Sequence, residues 1–152
     1  MEKILRLLNP KSTNFDSVGG GSYGALTTQD VCAAITYAKL SVIETELFNL
    51  YVSGSKTIEM IEKSISVIHK ELLINNETSD DDFHKLGLFV VLVEMFCCAG
   101  DYKPSVRNRA MIAGVSKDKM HRVINQYVEN LRVIINVYSN ILSIKINNQI
   151  SK

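Results

Sequence analysis

Residues 108–124 read NRAMIAGVSKDKMHRVI. Ala110 is followed four positions later by Gly114, then by Val115 and Ser116, then by a run that holds Lys117, Lys119, His121 and Arg122. Each type has a local reason to be there. A small residue at 110 lets two helices cross closely. Gly114 takes a positive φ and ends a helix within one residue. Val115 plugs the core beneath the turn, and Ser116 caps the helix that follows. Met120, Val123 and Ile124 then share an inward face. This order predicts a helix-turn-helix over about residues 104–126.

Polar side chains remain near the start of the second helix, the part that enters the major groove in such units. Lys103, Arg107 and Arg109 precede the turn and are placed to contact phosphates. Lys117, Lys119 and His121 lie on or beside the outward face. Arg122 and Asn125 are placed to read base edges, Arg preferring guanine and Asn adenine. With the cap Ser116 these nine residues form the candidate DNA-binding set. The competing reading of any one of them is a solvated surface charge.

The charge distribution points the same way. The chain has 152 residues and a formal net charge of only +1. Residues 1–100 carry 8 Lys/Arg against 13 Asp/Glu, whereas residues 101–152 carry 9 against 3. Such polarisation suggests that the C-terminal third meets a polyanion. A hydrophobic share of 46% suits one domain with a real core. The longest apolar run, LGLFVVLVEMFCCAG at residues 86–100, is too short to span a bilayer and contains Glu94. It reads as a buried helix. No secretory signal is visible, and Cys32, Cys97 and Cys98 make no disulfide framework, so a reducing cytoplasm is the expected compartment.

The rest of the chain reads as helices. MEKILRLLNP allows one short helical turn before Pro10, and FDSVGGGSYGALTT is a loop or arm, so residues 1–26 stand apart from an all-α domain over 27–152. The arm lacks the Lys-Ser/Thr of a phosphate-binding loop. Val31, Ala34, Ile35, Ala38, Val42 and Leu50 suggest one helix from Thr27 to Val52, stopped by Gly54. Ile58, Ile61, Ile65, Ile68 and Leu72 line a second. Ser79 caps a third that runs to Gly100, with Asp80, Asp81 and Asp82 on its dipole; a metal is the alternative use of that triplet, but no calcium-loop spacing follows. Pro104 suits the first turn of the fourth. A fifth, long helix continues from the turn through Leu131, Ile135 and Leu142, and KINNQISK is its frayed end. The expectation is an all-α body of about five helices with the helix-turn-helix built into it.

Adjacent Cys97 and Cys98 and scattered His69, His84 and His121 do not have zinc-site spacing, and buried thiols are expected at 97 and 98. No nucleophile, acid–base or metal grouping stands out, so no enzymatic role and no cofactor are expected.

LLNPKSTNF, followed after a loop by LTTQDVCAA, resembles the N-terminal signature of the late-gene antiterminator Q proteins of lambdoid bacteriophages. The matching positions are Pro10, Lys11, Ser12, Leu26, Thr27, Asp30 and Val31. VEMFCCAGDY and VINQYVENLRVIINVYSNIL resemble later helices of that family more loosely. The lambda-type members carry two Cys-x-x-Cys pairs where this chain has a short connector between Cys98 and Pro104. The zinc role therefore does not carry over, and the resemblance is to the compact phage 21 type. It implies a factor that binds double-stranded DNA near a late promoter, as a monomer or as two copies on tandem repeats. Such a factor loads onto paused, sigma-containing bacterial RNA polymerase. It then narrows the RNA exit channel around the nascent RNA, so that terminator hairpins cannot form. The alternatives are a helix-turn-helix repressor, usually an obligate dimer on a palindrome, and a helical scaffold with no nucleic-acid role.

Overall fold

Capping residues divide the described residues, 28–53, 56–78 and 81–150, into six helices in the computed structural model. They are α1 Thr28–Tyr37, α2 Val42–Val52, α3 Ile58–Ile74, α4 Asp82–Phe96, α5 Val106–Ile112 and a long α6 over 117–150. The all-α class is as expected: among the described residues every regular element is helical. The short N-terminal turn, the Gly-rich arm and the Ser79 cap lie outside the described residues.

The single helix expected from Thr27 to Val52 is two. The Ser41 side chain accepts from the Glu44 amide while the Glu44 carboxylate accepts from the Ser41 amide at 2.7 Å, a complete capping box. Lys39 takes a φ of 48° in the turn before it. The break turns Val42 outward, 47% exposed, where an unbroken helix would have buried it. Thr57 caps α3, and Asn76 ends it with a φ of 57°. There the Glu77 amide donates to the Leu72 carbonyl at 2.8 Å and the Asn76 amide to Leu73 at 3.1 Å. Ile58, expected on the inward stripe, is exposed.

Asp81 caps α4 through the Phe83 amide at 2.7 Å. This helix stops at Phe96, four residues short of Gly100, with the Cys97 and Cys98 amides both donating to the Val93 carbonyl. Gly87, Leu88, Val90, Val91, Leu92 and Val93 are all buried, so α4 is surrounded: α3 lies on one side, α6 and α5 on others. It packs tightly against α6 at Gly87, where a Cβ would sit 3.2 Å from Leu131 Cδ1 and from Tyr127 Cβ. Hydrogen at that position lets the two longest-packed helices touch.

Pro104 lies before the cap of α5, not in its first turn; the cap is Ser105, which accepts from the Asn108 amide at 3.1 Å. The helix α6 is composite. A first turn, Lys117–Lys119, leads into a π-helical stretch, Met120–Ile124, and then into Asn125–Ile150. The Asn125 amide bonds the Met120 carbonyl, five residues back. The C-terminal residues expected to fray stay helical to Ile150, with Ile146 fully buried. Val128, Leu131, Ile135 and Leu142 join Met120 and Ile124 in one core with Leu47, Leu50, Ile61, Ile68 and Leu88.

Candidate nucleic-acid interface

The corner between α5 and α6 is made by local hydrogen bonding. Ile112 is the last residue of α5, and Gly114 has a φ of 63°. The Val115 amide donates to the Ala110 carbonyl at 3.0 Å and the Gly114 amide to Met111 at 3.3 Å, the paired bonds of a Schellman stop. Ser116 Oγ then accepts from the Lys119 amide at 3.2 Å. Ala110 and Met120 are buried beneath the corner, and Val115 and Val123 pack at its edge. Two helices are thus joined by four residues, 113–116, and anchored to α4.

Six of the nine candidate residues carry exposed basic or ionisable side chains around this corner: Lys103, Arg107, Lys117, Lys119, His121 and Arg122. The Lys103 carbonyl accepts from Asn108 Nδ2 at 3.0 Å, which holds the approach to α5. The Lys119 ammonium lies 5.2 Å from the centre of the Phe83 ring. Ser116 is exposed but its hydroxyl is engaged as the cap. Asp118, exposed on the same turn as Lys117 and Lys119, offsets part of their charge.

Arg109 corrects the expectation of a phosphate contact. It is only 4% exposed, and its guanidinium is spent inside the protein. Nε donates to Glu94 Oε1 at 3.0 Å, Nη2 to Glu94 Oε2 at 3.4 Å, and Nη1 to Asn125 Oδ1 at 2.7 Å and to Glu129. Asn125 is corrected with it: half-buried, its carbonyl oxygen taken, it is not free to read adenine as a bidentate partner would. Burial opposes the Arg109 charge, but the hydrogen bonds and charges of Glu94 and Glu129 outweigh it and raise its pKa.

Glu94 is the centre of this knot. It is buried in α4, pairs with Arg132 as well as Arg109, and accepts from the Tyr102 hydroxyl at 2.7 Å. Burial pushes the Tyr102 phenol up, and its hydrogen bond to Glu94 and the charge there add to the shift. Four elements meet in these bonds: α4, the connector at Tyr102, α5 and α6. The corner is therefore held to the body by ion pairs as well as by apolar packing. A lone carboxylate inside the apolar run was the sequence signal for a buried cation. A second signal lay in α5, where residues two apart face different ways and Arg107 and Arg109 could not both point outward.

These internal ion pairs modify the charge asymmetry. Arg109 and Arg132 neutralise Glu94 and Glu129, and Lys145 Nζ pairs with buried Glu44 at 2.6 Å. Among the described residues of this third, Arg109, Arg132 and Lys145 are internal partners, and the exposed cations Lys103, Arg107, Lys117, Lys119 and Arg122 stand at the α5–α6 corner. Cys97 and Cys98, expected as buried thiols, are exposed and half-exposed just past the end of α4. Partial burial of each sulfur raises both thiols, Cys98 further through Glu94. Among the described residues no three His, Cys, Asp or Glu side chains come together as a metal site, and no helix is long and apolar enough to cross a membrane.

No family model matches the chain, and no curated protein or solved structure matches it either.

Proposed function

We propose that the protein is a DNA-binding transcription factor that docks through the α5–α6 corner and, once loaded on RNA polymerase, suppresses termination. The observation that carries the DNA contact is the group of exposed basic side chains, Arg107, Lys117, Lys119 and Arg122 foremost, on the first turn of α5 and the first turns of α6, either side of the corner. In this reading α6 enters the major groove by its N-terminal end. Arg122 reaches base edges, and Lys103 and Arg107 fix the register on phosphates.

Antitermination rests on the resemblance of Pro10–Lys11–Ser12 and Leu26–Thr27…Asp30–Val31 to the phage antiterminators. The physical logic is steric. A terminator hairpin forms only if nascent RNA pairs as it leaves the polymerase, and paired RNA is wider than one strand. A helical collar at the exit opposes pairing without reading RNA sequence, and exposed Lys or Arg on its rim tolerates phosphates.

The test is read-through of a terminator placed downstream of a promoter-proximal pause, with and without the upstream DNA element. Read-through should rise with the protein only when the element is present. Unchanged termination together with reduced promoter firing supports a repressor instead.

A further inference from the structure

The solvent side of α6 carries a second pattern, away from the α5–α6 corner. Asn130, Val133, Val137, Asn140 and Ile144 are all exposed and follow one another at intervals of three, four, three and four residues. Val133 is 63% exposed, Val137 50% and Ile144 58%. Intervals averaging 3.5 place these side chains in one seam along the helix, opposite the buried stripe of Leu131, Ile135 and Leu142. Residues 133–144 contain no Asp, Glu, Lys or Arg. A solvated helix face ordinarily carries charge; the centre of a protein interface is where charge is depleted.

We propose that this seam pairs with the same seam of a second copy of the chain, parallel and in register. A face without charge offers nothing to a nucleic acid or an ionic protein surface, and it is complementary to itself. In register, Val133, Val137 and Ile144 each meet their own counterpart, so apolar meets apolar. Asn130 and Asn140 also meet their counterparts, and each amide brings both a donor and an acceptor. An antiparallel pair centred on Val137 sets Asn130 against Ile144 and leaves a buried amide unsatisfied. Seam asparagines fix register and cost stability. The seam covers about two heptads, roughly 22 Å, fewer than the three to four that sustain a free coiled coil. The pairing is therefore weak and concentration-dependent, below the standard interface size. One consequence rests on the proposed DNA contact: an in-register parallel pair is two-fold symmetric and carries both α5–α6 corners at the same end, so it presents them to inverted half-sites, where one bound copy raises the effective concentration of the other.

The association itself is tested without DNA, by sedimentation equilibrium of the full chain over a wide concentration range. The parent's weight-average mass should climb toward twice the monomer. Val133→Lys alone and Val133→Glu alone should stay monomeric, because each sets like charges together across the seam. An equimolar mixture of the two should associate again, which only folded chains can do. A parent that remains monomeric throughout overturns the proposal, as do single variants that associate like the parent. A mixture that stays monomeric overturns the in-register pairing. None of these results depends on DNA binding, so failure here is separable from failure of the proposed function.

Discussion

Gly114 and Arg109 show how far single side chains set the corner. Gly114 has open space where a Cβ would go but a φ of 63°, so an alanine there meets backbone strain and no clash. Gly114→Ala should lower unfolding free energy by about 1–2 kcal/mol, read as a shift in the urea midpoint with the slope unchanged. Arg109 and Arg107 differ by two positions and separate cleanly in outcome. Arg109→Ala leaves Glu94 buried with one cation fewer and should cost about 3–5 kcal/mol of stability. Arg107→Ala should change stability by less than about 0.5 kcal/mol while reducing the salt dependence of DNA affinity by about one phosphate contact. Equal stability of the two variants would place Arg109 outside the core knot. Arg107 was readable as a surface cation from its type. Arg109 has the same type, and its burial follows from Glu94 and Glu129, 15 and 20 residues further along or back.

The connector between α4 and α5 is tied down through Tyr102, and that tie has a pH signature. Burial and Glu94 hold the Tyr102 proton more tightly in the folded state than in the unfolded chain, whose phenol titrates near 10. Below about pH 10 both states are protonated and the stabilisation is fully present. Above it the unfolded chain releases the proton first, binds fewer protons than the native state, and stability falls as pH rises. Tyr102→Phe should lose about 1–3 kcal/mol near neutrality, from the hydrogen bond to a charged acceptor. It should also flatten the decline measured by denaturant titration between pH 9 and 11. Tyr138, raised by burial and by Glu77, keeps part of that decline in the variant. An identical slope in parent and variant would remove Tyr102 from the alkaline transition. Element boundaries follow the same division. The cap at Ser116 and the stop at Gly114 are local signals and were legible. The split at Lys39 was also written locally, as Ser41 and Glu44, but the apolar spacing across it disguised the break.

The whole molecule depends on α4, mostly buried from Gly87 to Phe96, and on α6, which runs past α1, α2 and α4. Its stability comes from that packing, and two buried carboxylates, Glu44 and Glu94, are each answered by cations on other elements, so neither charge is buried unpaired. Thermal unfolding should therefore be the same with and without a strong chelator, as checked by circular dichroism. Stoichiometric zinc in the purified protein, together with a lower midpoint in chelator, would show a structural metal instead.

The sequence by itself determined the helical class and the α5–α6 corner, because caps, stops and apolar periods act within a few residues. Only the tertiary structure decided which cations are surface and which are counter-ions. Arg109, Arg132 and Lys145 look like their exposed neighbours in the chain, and their partners Glu94 and Glu44 become neighbours only when α4 packs on α5 and α6 and α2 packs on α6. The same packing chose which face of α6 to bury and left Val133, Val137 and Ile144 in water, a choice that an apolar pattern running around most of the helix does not contain.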